Sequence, residues 1–122
     1  MALSRNQITL PTLPEEIVPV PSLGGEVRVR AMLLSERLLH DNLVITARKP
    51  LEGESVEQAR ARAGSMVVAQ LLHVSVVGDD GNPLLTPLEW NALGGISRAD
   101  VYTLFYAARR LSGMDRADVE KN

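Results

Sequence analysis

The fold is decided by residues 55–77, which read SVEQARARAGSMVVAQLLHVSVV. The stretch opens with a capping box, in which the Ser55 side chain bonds the backbone three residues on and Gln58 reaches back. These signals predict a helix of about 23 residues, roughly 34 Å long. Its second half is apolar nearly all round, so we expect a central helix or a helix at a subunit interface. Residues 74–77 are β-branched and fit either helix or strand, because so short an apolar run does not discriminate.

Two further helices are predicted downstream of this segment. A glycine and a turn at residues 78–83 end the apolar stretch. Thr86 as cap, Pro87 at the first helical position and Glu89 at the third then predict a short helix that ends at the glycine pair 94–95. Ser97 opens the last helix, which Gly113 ends. Its predicted buried stripe has helical spacing and consists of Val101, Leu104, Phe105, Ala108 and Leu111.

The region upstream of residue 55 predicts an extended arm, a hairpin and one more helix. Four of the seven prolines lie within residues 11–21, which argues against helix over residues 1–22. Residues 26–32 alternate charged and apolar side chains, the pattern of a half-buried strand. They are expected to pair with residues 17–21, the proline-bearing strand lying at the edge. Ser35 as cap predicts a helix over residues 36–47.

These elements predict a mainly α (α+β) fold class. We expect a small helical domain of about four helices with an N-terminal β-hairpin and an extended proline-rich arm. The predicted division is an arm over residues 1–25, a mainly helical domain over residues 26–113 and a flexible charged tail over residues 114–122.

The composition excludes several classes of function. The 122 residues include no cysteine, which excludes disulfides, thiolate metal sites and a cysteine nucleophile. The formal net charge of −2 argues against a protein held on nucleic acid by bulk electrostatics. No apolar segment is long enough to span a bilayer, which takes about 20 residues. We therefore expect a protein without catalytic residues, cofactor or metal.

The remaining chemical motifs favour structural explanations. The acidic run at residues 79–82 lacks the ligand spacing of a calcium loop and is interpreted as a turn. His40 is interpreted as a surface or capping residue, and His73 as a satisfied interior or interface residue. A small basic patch from Arg28, Arg30 and the pair 109–110 is the one feature that favours nucleic acid, and the acidic total opposes it.

Six side chains are candidates for contact with a protein partner. Aromatic and arginine side chains are favoured at interface hot spots, and the apolar helix could be an interface. The competing interpretation places the tyrosines at the edge of the core and the tryptophan inside it. The candidates are Trp90, Tyr102, Tyr106, Arg109, Leu71 and Leu72.

The order of several short motifs resembles the tail assembly chaperones of long-tailed bacteriophages and prophages. The alternating strand at residues 26–32 runs into a helix. The turn GDDGNPL at residues 78–84 precedes a short helix with Trp90 and a leucine–glycine stop. The segment LFYAARRLSG at residues 104–113 follows, and the chain closes on DVEKN at residues 118–122. The resemblance covers roughly residues 26–122 and does not include the proline-rich arm.

This resemblance implies a non-enzymatic assembly factor in the cytoplasm of a bacterial host. Such chaperones bind the long, apolar tape measure protein while the tail tube polymerises around it, and are not expected in the mature virion. The implied partners are the tape measure protein, further copies of the chain itself and, as a secondary partner, the tail tube protein. The alternatives are a structural tail connector or adaptor retained in the virion, a small enzyme or metal-binding protein, and a DNA-associated regulator.

Overall fold

The central helix forms where its capping box predicts. In the computed structural model, which describes residues 2–114, α2 spans Val56–Ser75. The Gln58 N–H donates to Ser55 Oγ at 3.1 Å, and the Ser55 N–H donates to Gln58 Oε1 at 2.8 Å. The other helices are α1 (Leu34–Thr46), α3 (Pro87–Ile96) and α4 (Arg98–Leu111). Four helices and an N-terminal hairpin confirm the predicted α+β class.

A small antiparallel sheet covers one side of the helices. β1 (Glu15–Val20) pairs with β2 (Gly25–Arg30), which pairs with β3 (Val76–Val77) in the order β1-β2-β3. Residues 76–77 are therefore strand, and α2 ends two residues before the predicted limit. The strand conformation lets Val29 pair with Val76, and both side chains are fully buried.

The predicted start of α1 is wrong. Ser35 is not the cap, since the helix begins at Leu34 and Leu33 occupies the cap position. The carboxylate of Glu36 accepts a hydrogen bond from the Leu33 N–H at 2.8 Å. Arg30 at the end of β2 also donates to both Glu36 oxygens, at 2.8 and 2.9 Å. The Glu36 carboxylate therefore joins the start of α1 to the end of β2, in place of the serine cap that the sequence predicted.

The predicted end of α3 is also wrong. Gly94 and Gly95 lie inside the helix, which continues to Ile96. Ser97 then closes α3 by donating its N–H to the Leu93 carbonyl at 2.7 Å. It also opens α4 by accepting from the Asp100 N–H at 3.3 Å. Glycine lowers helix stability only by about 1 kcal/mol relative to alanine, so a strong cap shortly after the pair can set the boundary.

The core lies between the sheet, α2, α3 and α4. Its largest fully buried side chains are those of Trp90, Leu71, Leu72, Leu104, Val20, Val29 and Val76. The predicted stripe of α4 is confirmed for its first four positions, which are buried, while Leu111 is half-buried. Gly113 ends α4 in the left-handed region, at φ 70°.

The N-terminal segment divides into two parts. The part within residues 15–20 is β1, and its Val18 and Val20 side chains belong to the core. All of residues 2–14 are exposed, with a single 3₁₀ turn at Arg5–Gln7. A second 3₁₀ turn, Pro21–Leu23, joins the two hairpin strands. Residues 115–122, most of the predicted tail, lie outside the described residues.

Candidate protein-binding interface

The outward face of α1 is apolar and uncovered. Leu34, Leu38 and Ile45 are spaced four and seven residues apart, so they share one side of the helix. Their exposed fractions are 75%, 59% and 67%, and Leu39 beside them is 71% exposed. His40 is the only buried residue of this helix. We call the four exposed side chains the α1 apolar face.

A groove runs along α2 on the inner side of α1. One cavity of about 520 Å³ lies between α2, α3 and α4, and a second of about 470 Å³ lies between α1, α2 and α4. The two cavities share Arg60, Gly64, Val68 and Tyr102 as lining residues, so they lie next to each other along α2. We call them together the α2–α4 groove.

The charge of the α2–α4 groove is strongly one-sided. It is lined by four arginines, and Asp41 supplies the only carboxylate among its lining residues, all of which belong to the described part of the chain. That carboxylate lies 3.5 Å from Arg37, outside the groove lining. No carboxylate within residues 2–114 forms a salt bridge with the groove arginines, which are Arg48, Arg60, Arg98 and Arg109.

Within residues 2–114, the arginines outside the groove have carboxylate partners, with the exception of the arm residue Arg5. Arg62 of α2 pairs with Glu54 at 2.9 Å, and Arg110 of α4 pairs with Glu16 of β1. The predicted basic patch is thereby corrected, because its members Arg28, Arg30 and Arg110 are all paired with acids. The acidic pair at residues 15–16 is part of β1 and supplies two of these partners.

Two of the groove arginines lie over aromatic rings. The Arg98 guanidinium lies 5.2 Å from the centre of the Tyr102 ring, and the Arg109 guanidinium lies 5.5 Å from that of Phe105. Arg109 also donates to the Met114 carbonyl at 3.3 Å. A guanidinium has five N–H donors, so these contacts leave donors of both arginines available in the groove.

His40 lies at the α1 side of the groove and is 4% exposed. The sequence interpretation as a surface or capping residue is wrong, because the helix turns this position towards α2 and α4. Its Nδ1 has no hydrogen-bond partner among the described residues. Burial lowers the pKa of His40 below its ordinary value, and the positive charges of Arg109 and Arg37 add to the lowering against the opposing effect of Asp41.

The six predicted contact residues separate into three groups. Leu71 and Leu72 are fully buried in the core and have no surface to offer a partner in this conformation. Trp90 is also buried, although it lines the α2–α4 groove. Tyr102 and Arg109 line the groove as half-buried residues, whereas Tyr106 is 62% exposed beside it.

The α1 apolar face and three groove arginines were not among the sequence candidates. The leucines of residues 34–39 were a detectable signal, because a short helix with apolar residues on several sides must expose some of them. Arg48, Arg60 and Arg98 gave no such signal, since they come from three different elements that only the tertiary fold brings to one groove.

The remaining motifs are structural. Asp80 accepts from the Asn82 N–H at 3.0 Å and Gly81 has φ 79°, which confirms the turn. His73 Nδ1 lies 2.9 Å from the Leu85 carbonyl oxygen, so this histidine is satisfied as predicted. Within residues 2–114, no three acidic or histidine side chains are grouped to hold a metal ion. No helix of this part of the chain combines the length and apolarity needed to cross a membrane.

Comparison with protein-family models, curated proteins and solved structures finds no match to this chain. Function is therefore inferred from the order of the sequence motifs, from the α1 apolar face and from the α2–α4 groove.

Proposed function

We propose that this protein is a non-catalytic tail assembly chaperone of a long-tailed phage or prophage. It binds the tape measure protein in the host cytoplasm, keeps it soluble while the tail tube assembles, and is left out of the mature virion. Self-association multiplies its binding surface, and the tail tube protein is a further partner. The order of motifs between residues 26 and 122 supports the class, and the surface of the folded chain supports the binding role.

The α1 apolar face is the observation that carries this proposal. A chaperone for an apolar, helical client needs exposed apolar side chains, and large exposed patches of this kind mark interaction sites. Leu34, Leu38 and Ile45 present such a row at helical spacing, suited to pack against a client helix. Burying one leucine side chain contributes about 1.5–3 kcal/mol, so a few such contacts are enough to retain a client.

Co-expression with the tape measure protein of the same genome tests the proposal. We expect the intact chain to bring the client into the soluble fraction and to co-purify with it. The variant combining Leu34→Ser and Leu38→Ser is expected to lose most of this effect. Leu10→Ser is the matched control, because Leu10 in the arm is 76% exposed and Leu34 is 75% exposed. No change in client solubility with the intact chain would contradict the proposal.

Mass spectrometry of purified particles separates the chaperone from the tail connector. The chaperone is expected to be missing from finished virions. Detection at a stoichiometric level would contradict the chaperone proposal and favour a connector or adaptor that stays in the tail.

A further inference from the structure

We propose that the α2–α4 groove is a docking site for an acidic, amphipathic segment of a partner protein. Carboxylates of the segment would meet the four groove arginines, and its apolar residues would cover Tyr102 and Phe105. The α1 residues that line the groove, His40, Asp41 and Val44, are different from the side chains that form the α1 apolar face. The proposal therefore stands whether or not the tape measure protein is the client.

Charge complementarity is the first argument. The whole chain has a formal net charge of −2, yet the groove lining has four guanidinium groups and one carboxylate. Elsewhere in residues 15–114 the arginines are matched with acids of the same chain. A cluster of cations that has no acid partner within residues 2–114, next to arginines that have one, is suited to a ligand that supplies its own carboxylates.

Buried polar groups without partners are the second argument. Trp90 Nε1 and His40 Nδ1 are buried and make no hydrogen bond within the described residues. The two residues line opposite ends of the groove. A buried donor or acceptor without a partner is costly, so the walls of the groove are incompletely satisfied in the free protein.

The shape and lining of the groove favour a peptide over a nucleic acid. Small residues of α2 and α3, among them Ala61, Gly64 and Gly94, form part of its walls and allow close approach of a backbone. The arginines of the surrounding surface are neutralised by acids, so a long polyanion would meet few further cations. Phosphate-rich polymers need an extended basic face, which this surface does not provide.

Two matched peptides test the proposal. One is a labelled helical peptide with glutamates on one side and leucines on the other, and the second has glutamine in place of every glutamate. Binding is followed by anisotropy and by the fluorescence of Trp90, the only tryptophan of the chain. We expect the glutamate peptide to bind about tenfold more tightly or better, with the difference shrinking as salt is added.

Neighbouring arginines provide controls with the same change of charge. Arg109→Gln and Arg60→Gln are each expected to weaken binding of the glutamate peptide about three- to tenfold. Arg110→Gln and Arg62→Gln should leave it unchanged, because these two side chains pair with Glu16 and Glu54 away from the groove. Arg60→Lys should retain most of the affinity, since the positive charge remains.

Four outcomes would overturn the proposal. Equal binding of the two peptides would remove the role of the carboxylates. Equal effects of the Arg109 and Arg110 variants would show attraction by general charge and not by the groove. Tighter binding of a single-stranded oligonucleotide with the same dependence on Arg60 would change the class of partner. Loss of peptide binding in the combined Leu34 and Leu38 variant would place the peptide on the α1 apolar face instead.

Discussion

Protonation of the His40 imidazole is coupled to the folding of the protein. His40 is buried between α1, α2 and α4, and burial lowers its pKa in the folded chain. The unfolded chain releases this constraint and binds a proton more readily. The difference in bound protons makes the free energy of unfolding depend on pH.

We expect the free energy of unfolding to fall as the pH is lowered below about 6.5, the ordinary pKa of histidine. The folded-state pKa is depressed, so between the two pKa values the unfolded chain binds more protons, and stability rises with pH. His40→Leu should flatten this part of the profile, because the variant does not titrate there. Urea unfolding at several pH values between 5 and 8 measures the slope, roughly the window in which histidines titrate. An unchanged slope in the variant would contradict the role of His40.

At the scale of elements, the junction between β2 and α1 depends on one carboxylate. Glu36 accepts from the Leu33 N–H and from both terminal nitrogens of Arg30. The hydrogen bonds from Arg30 lower the pKa of Glu36, so its stabilising effect is lost as the pH falls through that lowered value. The helix start has no other side-chain cap.

Glu36→Ala is expected to lower the free energy of unfolding by about 1–2 kcal/mol, the usual range for loss of a helix cap together with a partly exposed ion pair. Glu57→Ala is the matched control. Glu57 lies in the first turn of α2 and forms no salt bridge within residues 2–114, so we expect a change below about 0.5 kcal/mol. Comparable losses in the two variants would show that helix charge alone, and not the bound carboxylate, sets the junction.

The elements that the sequence predicted well have local causes. The capping box of α2, the Thr86 cap of α3 and the stripe of α4 all follow from residues within one or two turns. The features that the sequence left open or predicted wrongly depend on contacts made outside the helix concerned. Arg30 of β2 binds Glu36 at the start of α1. The pairing of Val76 with Val29 selects strand for residues 76–77, which fitted either helix or strand, and the inward position of His40 depends on α2 and α4.

In the candidate site, too, the residues predicted from sequence are those on one helix, and the residues missed are those that tertiary packing brings together. Tyr102 and Arg109 were predicted from their spacing on one helix, and the structure places both in the groove. Arg48 and Arg60 come from other elements, and their proximity depends on how three helices pack. Leu71 and Leu72 were ambiguous because an apolar helix in a small protein can face either a core or a partner, and the structure places both in the core.

In the molecule as a whole, hydrogen bonds and an ion pair join the N-terminal hairpin region to the C-terminal helix α4. The Ser22 N–H donates to Asp100 at 2.9 Å, and the Met32 N–H donates to Ser112 Oγ at 3.0 Å. Arg110 of α4 pairs with Glu16 of β1. These contacts join residues that are 78, 80 and 94 positions apart in sequence, so β1 is part of the cooperative unit although it lies within the predicted arm.

Two truncations are expected to behave differently for this reason. Removal of residues 2–12, which are all exposed, should change the free energy of unfolding by less than about 0.5 kcal/mol. Removal through residue 20 also takes away β1 with its buried Val18 and Val20, and should abolish cooperative unfolding, since total stabilities are only about 5–15 kcal/mol. Circular dichroism during thermal unfolding distinguishes the two. A cooperative transition in the longer truncation would show that the hairpin is dispensable.

Ser97 gives the corner between α3 and α4 an unusual mechanical property. The same residue terminates one helix and starts the next, so no loop residue remains there to act as a hinge. Only one non-helical residue separates the two helices, so few backbone dihedrals are free to change the wall of the groove from Trp90 to Arg98. A ligand meeting that wall loses little conformational entropy to ordering it, and its affinity benefits from this preorganisation.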